Sequence, residues 1–230
     1  MKRLVIAFDL GNTLADSKSP ISTQIARLLN RLLERFQVCV ISGGKFEQFE
    51  EQLLSHLESN ADTLAALHIM PTCGTRYLRF DAATKVWETV YAEDLTVGQT
   101  AEITAALEQG ASALGYRAAK LWSAQIEDRG SQVTFSALGQ QAPLEEKSKW
   151  DPDFKKREKI LAILTPSLPG FSVHMGGSTS IDITKPGYDK GYVDSTLRET
   201  LGVELAEMIC GGDALLPGGS DCQALEGVPQ

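Results

Sequence analysis

Four short stretches of the sequence combine residue types that can handle phosphate and a divalent cation. Phe8-Asp9-Leu10-Gly11-Asn12-Thr13-Leu14 places a carboxylate directly after an apolar run and follows it with small polar residues. A carboxylate at a strand end is suited to nucleophilic attack, and the amides after it can cradle an anion. The plain alternative is a strand-to-helix turn in which Asp9 serves as a cap. Ile41-Ser42-Gly43-Gly44-Lys45 offers a hydroxyl and an exposed amide at a helix start, with Ser42 and Gly43 as the anion-binding candidates. Ser-Gly-Gly also ends many strands without binding anything. In Gly187-Tyr188-Asp189-Lys190-Gly191, Lys190 can offset phosphate charge as a point cation, though most lone lysines are solvated surface. Finally, Gly211-Gly212-Asp213 leads across a Gly-rich turn to Asp221. Two acids so placed suit Mg2+, which takes few protein carboxylates and keeps several waters.

The elements that must position these residues alternate along the chain. Leu4 to Phe8 reads as a buried strand whose carboxyl end meets solvent at Asp9. Ile25, Leu28, Leu29, Leu32, Leu33 and Phe36 follow helical spacing after Pro20 and Ser22, which supply start signals. Val38 to Ile41 is a second buried strand, and a Glu- and Gln-rich helix follows to about Leu57. This βαβ unit implies an α/β core whose parallel sheet presents ligands at the carboxyl ends of its strands. The middle reads differently. A hairpin (77–80 and 86–90), a helix from about Val97 to Leu114, and period-two strands at 132–136 and 179–183 form an α+β insert. The alternation in those two strands predicts that each has one exposed face. The Lys147-to-Lys159 charge run predicts a solvated face, and Trp87, Trp122 and Trp150 are expected to pack the insert. Helix (193–201) and strand (206–210) patterns then return. The expected division is a core of residues 1–78 and 184–230 around an insert of residues 79–183.

Composition narrows the function classes. The 230 residues hold 22 Lys+Arg and 30 Asp+Glu, a net charge of −8, which argues against nucleic acid or anionic membrane bound by bulk charge. Cys39, Cys73, Cys210 and Cys222 form no CxxC pair, so no zinc knuckle is indicated, and Cys39 and Cys210 read as buried hydrophobes. The apolar run before Asp9 is too short for a signal peptide or membrane span. A cytoplasmic location is expected, and the three histidines show no metal-ligand spacing.

In order and spacing, the four stretches resemble the haloacid dehalogenase superfamily of phosphohydrolases and phosphotransferases. The resemblance implies a Rossmann-like core carrying an inserted α+β cap. It also implies Asp9 as nucleophile, Ser42 as phosphate ligand and Lys190 as the cation that orients nucleophile and phosphate. Mg2+ would sit on Asp9, the carbonyl of Gly11 and Asp213, with Asp221 in support. Within the superfamily the likeness is to the eukaryotic-type phosphomannomutase branch, whose larger cap follows the second motif. It is carried by Ser42-Gly43-Gly44-Lys45-Phe46-Glu47, Ile126-Glu127-Asp128-Arg129, Ser136-Ala137-Leu138-Gly139 and Gly176 to Asp182, together with the late acidic segment. By that resemblance Arg129, Ser180 and Asp182 are the cap residues that meet substrate. Any homodimer would form through the cap.

Departures from the pattern bear on activity. The family carries an acid two residues after the nucleophile, and here that position is Gly11, which keeps a carbonyl for Mg2+ but cannot move a proton. Gln140 and Trp122 stand where cap arginines would hold a second phosphate, which counts against a mutase. Relatives also continue past a point nine residues beyond Asp221. The expectation is a Mg2+-dependent phosphatase-like hydrolase acting on a small phosphorylated metabolite, most simply a sugar phosphate, through an aspartyl-phosphate. A phosphomannomutase and a catalytically silent phospho-ligand binder are the alternatives.

Overall fold

A computed structural model describes residues 4–16, 19–58, 60–116, 118, 120–188 and 190–212, except for the side chains of residues 190–195 and 205. The chain divides into two compact units, residues 1–92 with 188–230, and residues 93–187.

The first unit is built on a six-stranded sheet. In chain order it contains β1 (Val5–Asp9), α1 (Thr23–Leu33), β2 (Gln37–Ile41), α2 (Phe46–Gln52), α3 (Ala61–Leu64), β3 (Leu67–Met70), β4 (Arg76–Asp81) and β5 (Val86–Ala92). The strand order is β10-β1-β2-β3-β4-β5, where β10 is introduced below; β10, β1, β2 and β3 run parallel, and β4 and β5 antiparallel. Apolar residues of β2 serve both faces. Val38 and Val40 join Leu29, Leu33, Phe49 and Leu53 under the helices, while Cys39 and Ile41 join Val5, Met70, Tyr77 and Leu197 on the other side. Burial on both faces is why these strands read as continuous apolar runs. Helix α1 starts where Ser22 accepts the amide of Ile25 (3.2 Å), as its position before the periodic run predicts.

The second unit holds α4 (Val97–Ala113), β6 (Ile126–Asp128), β7 (Gln132–Ser136), α5 (Leu144–Trp150), α6 (Lys155–Ser167), β8 (Ser172–Met175) and β9 (Ser180–Thr184). Its antiparallel sheet has the order β6-β7-β9-β8. Ile103, Leu107, Ile160 and Leu164 from α4 and α6 pack on Val133, Phe135, Ile181 and Ile183. The chain then returns to the first unit with α7 (Lys190–Leu201) and β10 (Met208–Gly211).

Five expectations are corrected. The hairpin expected to open the insert is β4–β5, and β4 pairs with β3 on the first unit's sheet. Its Trp87 therefore packs on Phe46 and Phe80, not in the second unit. An amphipathic hairpin satisfies its apolar face on either sheet, so its pattern does not choose between them. The polar residues of β7 are buried as well as its apolar ones, because Gln132 and Thr134 hydrogen-bond to Asp182 on β9. The charge run is not all solvated. Lys147, Asp151 and Arg157 are buried, with Arg157 Nε 2.8 Å from Asp151 Oδ2 and Lys147 Nζ donating to the carbonyl of Gln140 (2.7 Å). Cys210 is only half-buried, on the outermost of the described strands of its sheet.

Candidate active site

Because β10, β1, β2 and β3 are parallel, their carboxyl ends lie along one edge of the sheet. Asp9 ends β1 opposite Ile41 at the end of β2, and Phe8 lies opposite Gly211 at the end of β10. The chain leaves β1 toward β2 on one side and returns to it as β10 on the other. That is a topological switch point, the usual place for a ligand in an open α/β sheet.

The loop after Asp9 closes on itself. Leu14 and Ala15 both donate to the carbonyl of Leu10 (3.1 and 3.0 Å), and Asn12 donates to Ala15 (2.6 Å). Asn12 takes a left-handed φ of 60°, which an asparagine tolerates. Gly11 does not adopt such a conformation. A Cβ built on it would stand 3.8 Å from Asp9 Oδ2 and meet nothing else within 4 Å. Neither backbone geometry nor crowding requires glycine here, and a side chain at position 11 would lie beside the Asp9 carboxylate. Thr13 Oγ1, two residues on, is shielded from solvent and has no hydrogen-bond partner among the described residues.

Ser42 follows β2, with its amide on the carbonyl of Met70 (3.2 Å). Its Oγ accepts the amide of Gly44 (3.2 Å), and Gln48 Oε1 accepts the amide of Lys45 (3.1 Å). The amides of Gly44 and Lys45, at the start of α2, are therefore engaged inside the loop. A hydroxyl that accepts from Gly44 still has its own proton to donate. Sequence reasoning missed what holds this loop in place. After β3, Thr72, Cys73 and Gly74 take three successive left-handed φ angles of 51°, 59° and 86°. The amides of Thr72 and Cys73 reach the carbonyls of Gly44 (2.9 Å) and Ser42 (3.0 Å). Pro71 and Gly74 hint at a turn, but threonine and cysteine give no signal of left-handed backbone.

Lys190 is the first residue of α7, which runs beside the Thr72–Gly74 turn. Asp213 and Asp221 lie outside the described residues. Asp213 comes two residues after the last residue of β10, the strand that neighbours β1. Among the described residues no three of His, Cys, Asp and Glu cluster as a metal set. The donors at hand, the Asp9 carboxylate and the Gly11 carbonyl, are hard oxygens of the kind Mg2+ selects.

The second unit gathers the other three candidates on one sheet. Glu127, Thr134, Asp182 and His174 lie opposite one another across β6, β7, β9 and β8. Arg129 donates to Glu127 Oε2 through Nε (3.0 Å) and Nη2 (2.8 Å). Asp182 Oδ1 accepts from Gln132 Nε2 (2.9 Å) and Thr134 Oγ1 (2.7 Å). Ser180, half-buried at the start of β9, lies opposite Ser136, and its backbone carbonyl accepts the amide of Gly176 (2.9 Å). Arg157 Nη1 donates to the carbonyls of Gly176 and Gly177, tying the preceding loop to the buried Arg157–Asp151 pair.

No family model matches the chain. It is 23% identical over 229 residues to phosphomannomutase 2 of Dictyostelium discoideum, spanning 96% of this chain and 86% of that protein. Its fold is similar to that of an IMP-nucleotidase from Plasmodium falciparum at a TM-score of 0.67 and 12% identity, over 96% of this chain and 61% of the nucleotidase. The chain thus spans about three-fifths of that protein. A haloacid dehalogenase-like hydrolase from Bacteroides thetaiotaomicron matches at a TM-score of 0.58 and 18% identity, over 92% and 82% of the two chains.

Proposed function

We propose that this chain, which has the haloacid dehalogenase fold with an α/β core and an inserted α+β unit, is a Mg2+-dependent phosphatase-like hydrolase. Its substrate would be a small phosphorylated metabolite, most simply a sugar phosphate, met in the cytosol. The observation that carries the reading is Asp9 at the switch point, with Ser42 held on the adjacent strand end. Asp9 attacks phosphorus in line, an Asp9 O–P bond forms, and the bond from phosphorus to the alkoxide oxygen breaks. Water then attacks the same phosphorus, releasing inorganic phosphate and restoring the carboxylate. Ser42 Oγ and Lys190 bind the equatorial oxygens as charge spreads over them. Asp9 and the Gly11 carbonyl, with Asp213 and Asp221, would hold Mg2+, which would supply neutralisation of phosphate charge. Gly11 supplies no proton to the leaving alkoxide, so turnover is slow unless the substrate has a good leaving group. Arg129, Ser180 and Asp182 of the second unit would discriminate between leaving groups.

The test is phosphate release from a panel of sugar and small-metabolite monophosphates by the natural chain, Gly11→Asp and Asp9→Asn, with Mg2+. Activity in the natural chain that is lost in Asp9→Asn supports the hydrolase and identifies its substrate class. Activity only in Gly11→Asp favours a silent phospho-ligand binder, the reading that Gly11 itself suggests. The likeness to a phosphomannomutase favours one more arm. Conversion of mannose 1-phosphate to mannose 6-phosphate, stimulated by a bisphosphate, would replace hydrolysis with isomerisation.

A further inference from the structure

We infer that Tyr91 is a positioning residue for the phosphate-binding loop at Ser42, a role that rests on the phosphatase reading above. The β4–β5 ladder is broken next to Tyr77. Leu78 pairs with Thr89, but Tyr77 pairs with Tyr91, so the pairing skips Val90. In an unbroken ladder Val90 would stand opposite Tyr77. The extra residue sends Val90 out to solvent and brings Tyr91 round to Tyr77, with ring centroids 5.8 Å apart. A β-bulge next to a functional site commonly re-aims one side chain in this way.

The re-aimed hydroxyl has a specific target. Tyr91 Oη donates to the carbonyl of Gly74 at 2.7 Å. Gly74 closes the left-handed turn, and Thr75 Oγ1 clasps its other end on Thr72 O (2.7 Å) and Thr72 Oγ1 (2.8 Å). Two successive non-glycine residues in left-handed conformation persist only where their surroundings over-determine them. Fixing the turn fixes the amides of Thr72 and Cys73, which hold the carbonyls of Gly44 and Ser42. Those carbonyls set where Ser42 Oγ stands and which way it donates. Tyr91 therefore acts on phosphate through the turn.

Tyr91→Phe removes the hydroxyl and keeps the ring against Tyr77. Two measurements test the inference on the full chain with Mg2+. One is amide hydrogen exchange at Thr72 and Cys73, and the other is calorimetric binding of inorganic phosphate, each repeated in Ser42→Ala. The expected result is faster exchange at both amides and phosphate binding weakened about two- to tenfold, the worth of one hydrogen bond. In the Ser42→Ala background the Tyr91→Phe effect on phosphate binding should vanish, which a general loss of stability would not produce. Unchanged exchange, or unchanged phosphate affinity in Tyr91→Phe, overturns the inference alone. A natural chain that binds no phosphate overturns the phosphatase reading and this inference with it.

Discussion

A Cβ placed on Gly11 would stand 3.8 Å from Asp9 Oδ2, with room around it and no backbone strain. The structure can therefore accept the acid that this position lacks. Gly11→Asp should raise hydrolysis of an alkyl monophosphate by about 10²–10⁴-fold, the usual worth of a general acid–base group. The gain should shrink for an aryl phosphate, whose leaving group needs no proton. Equal gains on both substrates would mean that the new carboxylate acts by some other route.

Arg157 and Asp151 form a buried pair that also anchors the Gly176–Gly177 loop. Arg157→Ala leaves a buried carboxylate uncompensated and should cost the second unit about 3–5 kcal/mol. Removing both charges, with Arg157→Met and Asp151→Leu together, should cost less than the single change. Urea unfolding read from Trp150 fluorescence orders the variants, and a double variant worse than Arg157→Ala would refute the argument.

His68 is wholly buried, with Nε2 2.8 Å from Gln37 Oε1 and Nδ1 2.7 Å from Tyr77 Oη. A neutral ring satisfies both contacts by donating to Gln37 and accepting from Tyr77. Burial, reinforced by the charge of Arg79, lowers its pKa from 6.5 to about 3. Between those values the unfolded chain binds a proton that the folded chain refuses, so stability falls as pH drops below 6.5. The slope from this residue approaches about 1.4 kcal/mol per pH unit. Unfolding free energies at pH 7, 6 and 5 should decline less steeply in His68→Gln, and parallel slopes would remove His68 as the cause.

Gly176 and Gly177 are adjacent but not equivalent. A Cβ on Gly176 would stand 2.5 Å from Asp182 Oδ2 and 3.1 Å from Ser180 Cβ, while one on Gly177 meets nothing within 4 Å. Gly176→Ala should destabilise the second unit by about 1–3 kcal/mol through overpacking, and Gly177→Ala should be near neutral. Thermal melting of the two variants separates them, and equal midpoints would contradict the geometry.

Much of the architecture is legible in the residues. Val5 to Phe8 and Val38 to Ile41 could only be strands buried on both faces, and Ser22 marks the start of α1 at its true cap. Asp9 and Ser42 could be placed because a strand's end and its first polar residue coincide. What stayed illegible depends on partners that only the folded chain brings together. The β4–β5 pattern fits either sheet, and Lys147 and Arg157 read as surface until their acceptors at Gln140, Asp151 and Gly176 are known. The turn at Thr72 and Cys73 was hidden for a different reason. Residue types that avoid left-handed backbone adopt it there because their neighbours compel it.

The pairing of Val5 with Met208 has a consequence for synthesis. Strand β1 leaves the ribosome before the other described elements, and β10, which covers its open side, leaves last among them. Residues 93–187 emerge without interruption between them and hold their own apolar core, so they can fold while the first unit is incomplete. Until residue 208 appears, β1 carries an unpaired edge, the kind of surface that recruits neighbouring nascent chains. That edge is closed only when the last described strand has been made.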